Sequence, residues 1–203
     1  QLGARHPLGA RLVLPMRRRV QPPPQVLAPA TPAQREGAQA VLRRVAQRAE
    51  DLGITLAVEV VNRYESNQFN TARQALAFIE ETGHDNIGLH LDTYHMNIEE
   101  PDMWQPVLDG ADRLRYVHIG ESHRGYLGTG TVDFDGFFSA LGRVGYDGPL
   151  AFESFSTAVV SESLSNDLAI WRNLWQDGGD DLAAHANRYI RGALRAVETV
   201  ALH

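Results

Sequence analysis

The sequence predicts an α/β protein built on a parallel sheet, because short apolar runs alternate along the chain with segments that have helical periodicity. No two predicted strands follow one another directly, which favours crossover connections and parallel pairing. The predicted strands are residues 11–15, 54–61, 87–91, 114–119 and 150–153. With 203 residues the chain has the length of one domain, and we expect a single domain over 1–203.

Helix boundaries follow from capping residues and from glycines. The first helix opens at Thr31 and Pro32 and ends at Gly53, and Asp133 is the expected cap of a later one. The other predicted helices are 71–81, 102–108, 134–144, 163–174 and 181–200. Residues 16–30 carry three arginines and three consecutive prolines and are expected to form an irregular loop, as are the residues from 93 to 100.

Composition excludes several classes of function. The net charge of −6 argues against nucleic acid or an anionic membrane as the partner. No apolar run approaches the ~18 residues of a membrane span, and the chain has no cysteine. We therefore expect a cytoplasmic protein without disulfides, in which any metal is held by histidine and carboxylates.

Four successive predicted strands end in, or next to, a side chain that can bind metal: Glu59, Asp92, His118 and Glu153. These ends would converge on one point if the parallel sheet curls into a barrel. Three buried carboxylates would repel each other unless a cation neutralised them. Three oxygen ligands and one imidazole suit Mn²⁺, Mg²⁺ or Co²⁺ better than a structural Zn²⁺ site. The alternative is that the four are unrelated polar residues of the core.

Four segments carry a resemblance to a known family. They are 58–65 (VEVVNRYE), 91–100 (LDTYHMNIEE), 118–124 (HIGESHR) and 152–155 (FESF). They resemble the signatures of ketose 3-epimerases, the D-tagatose, D-allulose (psicose) and L-ribulose 3-epimerases among the xylose-isomerase-like TIM barrels. The four candidate ligands are 33, 26 and 35 residues apart, which fits the family pattern, and the likeness covers about residues 30–195.

The resemblance implies metal-dependent epimerisation of free ketohexoses or ketopentoses at C3. Glu59, Asp92, His118 and Glu153 would bind the cation, most commonly Mn²⁺, with Co²⁺ or Mg²⁺ as other options. It further implies that Glu59 and Glu153 exchange the C3 proton through an enediolate. Glu65, His95 and Arg124 would hold the substrate oxygens. Members of the family are commonly dimers or tetramers, so a homo-oligomer is expected.

The chain departs from the family in its length. A (β/α)₈ barrel usually has about 250 residues, and the five predicted strands resemble strands four to eight. We therefore expect a partial barrel. Two alternatives stay open: an aldose–ketose or hydroxypyruvate-type isomerase on the same scaffold, and an inactive metal-binding fragment.

Overall fold

The computed structural model describes residues 11–15, 28–175 and 178–200. Five strands and seven helices occur in this part of the chain. In order they are β1 (Arg11–Pro15), α1 (Pro32–Asp51), β2 (Thr55–Glu59), α2 (Ala72–Thr82), β3 (Ile87–Asp92), α3 (Thr93–Glu99), α4 (Gln105–Asp109), β4 (Leu114–Ile119), α5 (Phe134–Arg143), β5 (Leu150–Phe152), α6 (Glu162–Asp167) and α7 (Gly179–Val200). Most of the predicted loop 16–30 lies outside the described residues.

The strands form one sheet in the order β1-β2-β3-β4-β5, and every neighbouring pair is parallel. All five predicted strands are therefore confirmed, and so is the parallel α/β class. Chain order and spatial order coincide because each crossover leads to the adjacent strand, as in a sheet that winds in one direction. Among the described residues, β1 and β5 each pair along one edge only.

Side chains alternate along the strands between two faces with different chemistry. One face carries large apolar residues that join the core with helix residues, among them Leu56, Val58, Leu89, Leu91, Val117 and Ile119. Helix α2 contributes Phe78 and Ile79 to this core, and helix α5 contributes Phe137 and Leu141. The opposite face carries small and polar residues, among them Ala57, Glu59, His90, Asp92 and His118. The second face is therefore where chemistry can be placed.

The predicted helix starts are confirmed by their caps. Thr31 forms a capping box with Gln34, in which each side chain accepts a hydrogen bond from the other residue's backbone N–H. Thr71 and Asp133 cap α2 and α5 in the same general way, each accepting from a backbone N–H three residues on. Gly83 ends α2 with a left-handed φ of 67°, a conformation that glycine adopts without steric cost.

One loop prediction was wrong, and two helix predictions were wrong in extent. Residues 93–99 form α3 and not a loop, because the Asp92 carboxylate caps them by accepting from the Tyr94 backbone N–H at 2.7 Å. The helix predicted at 102–108 begins only at Gln105, because Asp102 accepts from the N–H groups of residues 104 and 105. The helix predicted at 163–174 ends at Asp167, just before Ala169 takes a left-handed φ of 55°.

Candidate metal centre and substrate site

The four predicted ligands come together at the carboxyl end of the sheet. Glu59 and Asp92 are the last residues of β2 and β3, His118 lies near the end of β4, and Glu153 directly follows β5. Each offers one ligand atom, and these four atoms all lie within 4.8 Å of one another. The order of the strands thus brings side chains almost a hundred positions apart into one cluster.

This convergence requires a strongly bent sheet. Glu59 and Glu153 belong to β2 and to the end of β5, which are three strand spacings apart. In a flat sheet three spacings of about 4.8 Å would separate their backbones by about 14 Å, and their side chains would stand roughly parallel to each other above the sheet. Their ligand oxygens nevertheless lie within 4.8 Å of each other. The sheet is therefore curved as a barrel wall is, with the polar face on the concave side.

The His118 ring lies in the middle of the three carboxylates. Its Nδ1 atom is 3.5 Å from Glu59 Oε1, 3.7 Å from Asp92 Oδ2 and 3.7 Å from Glu153 Oε1. Asp92 is fully buried and Glu59 is 5% exposed. Among the described residues neither Asp92 Oδ2 nor His118 Nδ1 has a hydrogen-bond partner. Buried polar atoms of this kind are costly unless something binds them, and a divalent cation fits this donor set.

The pKa values show how strongly the cluster favours positive charge. Burial lowers the pKa of His118, but Asp92, Glu59 and Glu153 more than offset this and raise it to about 10. Burial raises the pKa of Glu153 to about 7, although the Arg124 guanidinium pulls it down. Asp92 is buried too, yet the His118 ring and Arg124 hold its pKa well below the usual value. The three carboxylates therefore favour positive charge at the position of the His118 ring, in addition to the charge of Arg124.

His95 lies beside the ligand cluster on α3 and is 1% exposed. The backbone N–H of Asn62 donates to His95 Nδ1 at 3.1 Å, so Nδ1 is the acceptor and the proton of the neutral ring is on Nε2. The Nε2 atom lies 3.8 Å from Asp92 Oδ2. The side chain of Asn62 also donates to Glu65 Oε1 at 3.2 Å. Glu65, Asn62 and His95 thus form one connected polar group at the edge of the centre.

Arg124 is a partly buried member of the site, with 11% of its side chain exposed, and not a surface ion pair. Its Nη1 atom donates to Glu153 Oε2 at 2.6 Å and lies 3.6 Å from Asp92 Oδ2. Its guanidinium carbon lies 3.5 Å from the centroid of the Tyr94 ring and 5.1 Å from that of Phe155. The residue has a φ of 64°, and its carbonyl accepts a hydrogen bond from the Ser154 hydroxyl. These contacts on several sides fix the direction of the guanidinium.

A cavity of about 100 Å³ opens next to this arginine. Its walls include Glu65, Tyr94, Arg124 and Phe155, together with residues 168–172 that follow α6. The three residues predicted to hold substrate oxygens therefore surround a single region: Glu65 and Arg124 line the cavity, and His95 contacts the metal-ligand cluster.

Sequence reasoning missed His90 and the roles of Glu99 and Glu100. His90 lies two residues before Asp92 on β3 and therefore on the same face of the sheet. Glu99 accepts from both the backbone and the guanidinium of Arg63, at 2.7 to 3.1 Å. Glu100 accepts from the first backbone N–H of α2, at Ala72, at 2.6 Å. The strand period could have identified His90, whereas both glutamate contacts depend on tertiary structure.

Comparison with known proteins assigns this fold. The family model described as "Xylose isomerase-like TIM barrel" matches residues 4–185, which is most of the chain. The chain belongs to the xylose isomerase-like TIM barrel family. Within this family it is 63% identical over 177 residues to a ketose 3-epimerase of Arthrobacter globiformis, an alignment that covers 87% of this chain and 61% of the relative.

Solved structures of the same family agree. An L-ribulose 3-epimerase superposes with a TM-score of 0.84 at 51% identity over 86% of this chain and 59% of its own. A D-allulose 3-epimerase from Methylomonas sp. in complex with D-allulose superposes with a TM-score of 0.79 at 54% identity, over 82% of this chain and 57% of its own. The resemblance to ketose 3-epimerases is confirmed, and the chain spans about 60% of the length of these relatives. In the described part of this family member, no helix has the length and apolar character needed to cross a bilayer.

Proposed function

We propose that the protein is a metal-dependent ketose 3-epimerase acting on free ketohexoses or ketopentoses, and that Mn²⁺ is its preferred cation. The observation that carries the proposal is the approach of Glu59 and Glu153 to a common point beside Asp92 and His118. The identity of 63% to a ketose 3-epimerase supports it.

The donor set is suited to a hard divalent cation. Three carboxylates and one imidazole match the oxygen-rich preference of Mn²⁺ or Mg²⁺. Within the described part of the chain, Asp92 Oδ2 and His118 Nδ1 have no hydrogen-bond partner and are open to a cation. When bound, such a cation supplies Lewis-acid polarisation of the ketose oxygens and makes the C3 proton more acidic. Glu59, Asp92, His118 and Glu153 are the residues that would hold it.

Two glutamates exchange the C3 proton in the proposed reaction. Glu59 and Glu153 reach the centre from β2 and from the end of β5, on either side of β3 and β4. A C3 carbon between them meets one carboxylate on each face. One glutamate removes the proton, and the other returns a proton to the opposite face, which inverts the configuration.

The neighbouring residues hold the substrate oxygens in this proposal. Proton removal leaves an enediolate whose negative charge spreads onto O2, and the Arg124 guanidinium, fixed between Glu153 and Tyr94, lies close enough to stabilise it. The Nε2–H group of His95 is a second donor, because Asn62 occupies the other ring nitrogen. Glu65 accepts from a sugar hydroxyl at the edge of the cavity.

We also propose that the chain is one domain that supplies βα units four to eight of a (β/α)₈ barrel. The five-stranded order, the curvature of the sheet and the coverage of about 60% of the relatives support this. On this view the metal ligands and acid–base residues all belong to the present chain.

The test is conversion of D-fructose to D-allulose by the full chain with Mn²⁺, followed by chromatography. Glu59→Gln and Glu153→Gln should each lower the rate by on the order of 10²–10⁴, the range of general acid–base contributions. Glu80→Gln, on the exposed face of α2, is the matched control and should keep the rate.

Running the reaction in D₂O separates the proposal from its alternatives. Deuterium at C3 of the product is expected, whereas label confined to C1 and C2 would indicate an aldose–ketose isomerase. A folded chain that binds Mn²⁺ but forms no C3 epimer from any common ketose would refute the proposal and favour a metal-binding fragment.

A further inference from the structure

His90 is a fully buried histidine whose ring lies close to the metal-ligand cluster. It is 0% exposed, and neither ring nitrogen has a hydrogen-bond partner among the described residues. Its ring meets the His118 ring edge to face, with the centroids 4.2 Å apart, and the Tyr116 ring at 5.0 Å. Burying an imidazole whose two nitrogens both lack a hydrogen-bond partner costs free energy. The ring lies where a metal ion would supply the missing partner.

Strand register brings His90 next to a carboxylate as well. Glu59 of β2 is paired in register with His90 of β3, while Asp92, two residues on, is paired with His118 of β4. One ligand atom each from Glu59, His90 and His118 lies within 4.8 Å of the other two. This second group shares two members with the four-residue centre but contains neither Asp92 nor Glu153.

The two groups differ in ligand chemistry. The four-residue centre offers three carboxylates and one imidazole, and it therefore favours oxygen-preferring cations such as Mn²⁺ and Mg²⁺. The second group offers two imidazoles and one carboxylate, a set that suits Zn²⁺ and binds it with an open fourth position in known enzymes.

We propose that Glu59, His90 and His118 form a second, nitrogen-rich cation site one layer deeper in the concave face, selective for Zn²⁺. Because Glu59 and His118 serve both sites, the two cations compete for these ligands. Zn²⁺ in the inner site withdraws Glu59 from the acid–base pair and excludes Mn²⁺ from the outer site. The inference deepens the proposed metal centre and rests on it for this competition, but the inner site itself depends on His90.

Reciprocal variants of the full chain test the proposal after removal of metal with a chelator. Zn²⁺ binding is measured by competition with a chromophoric chelator, and Mn²⁺ binding by the loss of the free-ion electron paramagnetic resonance signal. His90→Leu should weaken Zn²⁺ binding at least roughly 10- to 100-fold, the cost of losing even an outer partner of a metal ligand, and leave Mn²⁺ binding unchanged. Asp92→Asn retains a capping oxygen for α3. It should weaken Mn²⁺ binding and leave Zn²⁺ binding unchanged.

His84→Leu is the matched control, since His84 lies near Glu50, away from the centre, and should leave both affinities as they are. Wild-type Zn²⁺ affinity in a folded His90→Leu protein would overturn the inner site. If that variant does not fold, Co²⁺ added to Asp92→Asn decides the question with His90 intact. Intense visible absorption of four-coordinate Co²⁺ supports the site, and the weak absorption of a six-coordinate ion refutes it.

The outcome is distinguishable from failure of the proposed function. A wild-type chain that neither binds Mn²⁺ nor converts a ketose removes the epimerase proposal, yet a Zn²⁺ affinity that depends on His90 would still be measurable. Conversely, an active Mn²⁺ enzyme whose Zn²⁺ affinity is the same in His90→Leu removes only the inner site.

Discussion

The Thr93 hydroxyl should be worth several kcal/mol to this fold, because it joins the ends of two strands at the candidate site. Thr93 follows β3 and is 0% exposed. Its Oγ1 atom donates to the Gly120 carbonyl at 2.7 Å and accepts from the Gly120 N–H at 2.8 Å. Gly120 directly follows β4, two residues after His118.

Thr93→Val keeps the branched shape and removes both hydrogen bonds. Each of the two buried backbone groups left without a partner costs about 1–3 kcal/mol, so we expect the free energy of unfolding to fall by about 2–6 kcal/mol. For a chain of this size, about 3 kcal/mol lowers the melting temperature by on the order of 10 °C. Urea unfolding followed by circular dichroism measures the loss.

Thr93→Ser is the control, because it keeps the hydroxyl and loses only the methyl group. The reasoning is refuted if Thr93→Val unfolds at the wild-type urea concentration. It is also refuted if Thr93→Ser loses as much stability as Thr93→Val, since packing of the methyl group would then account for the effect.

Two further predictions concern contacts that support the site. In Gly130→Ala the new Cβ would clash with Glu121 Oε1. Glu121 is 1% exposed, and its carboxylate is held by backbone N–H groups of its own loop. We therefore expect the free energy of unfolding in urea to fall by about 1–3 kcal/mol, and wild-type stability would contradict this. Glu100→Ala removes the acceptor of the Ala72 N–H and should cost about 0.5–2 kcal/mol, whereas Glu100→Gln keeps an acceptor and should cost less. Burial raises the pKa of Glu100 above 4.5, so its linked stability is present below that pH and is lost as the pH rises through the folded-state pKa. From acidic to neutral pH, the free energy of unfolding of the wild type should therefore fall relative to that of Glu100→Gln. An unchanged difference between the two proteins would contradict a raised pKa of Glu100.

The sequence predicted the metal-ligand cluster because each ligand terminates a recognisable strand. Glu59 and Asp92 end apolar runs whose length and composition are those of buried parallel strands, and parallel strands place such ends at one edge of a sheet. The family resemblance then added Glu65, His95 and Arg124, which the structure places around the same region. Composition and spacing alone would have left Arg124 a surface ion pair.

What the sequence did not reveal depends on contacts between distant segments. Asp92 was interpreted only as a ligand, although an aspartate before a stretch without proline or glycine is also a helix cap, and α3 was missed for that reason. His90 was missed because the strand was interpreted as a single apolar run, although a residue two positions before Asp92 lies on the same face of the sheet. The end of α6 depends on the left-handed Ala169, which no propensity scale anticipates.

The alternation of side chains along each strand assigns stability and cation selectivity to different residues. Leu89 and Leu91 pack towards the helices, while His90 and Asp92 between and beyond them face the concave side. Volume-conserving changes among the helix-facing residues should therefore alter the melting temperature and spare cation selectivity. Substitutions on the concave face should alter cation selectivity and leave the melting temperature largely as it is. Thermal stability and cation selectivity can thus be changed separately by substituting alternate residues of the same six-residue strand, β3.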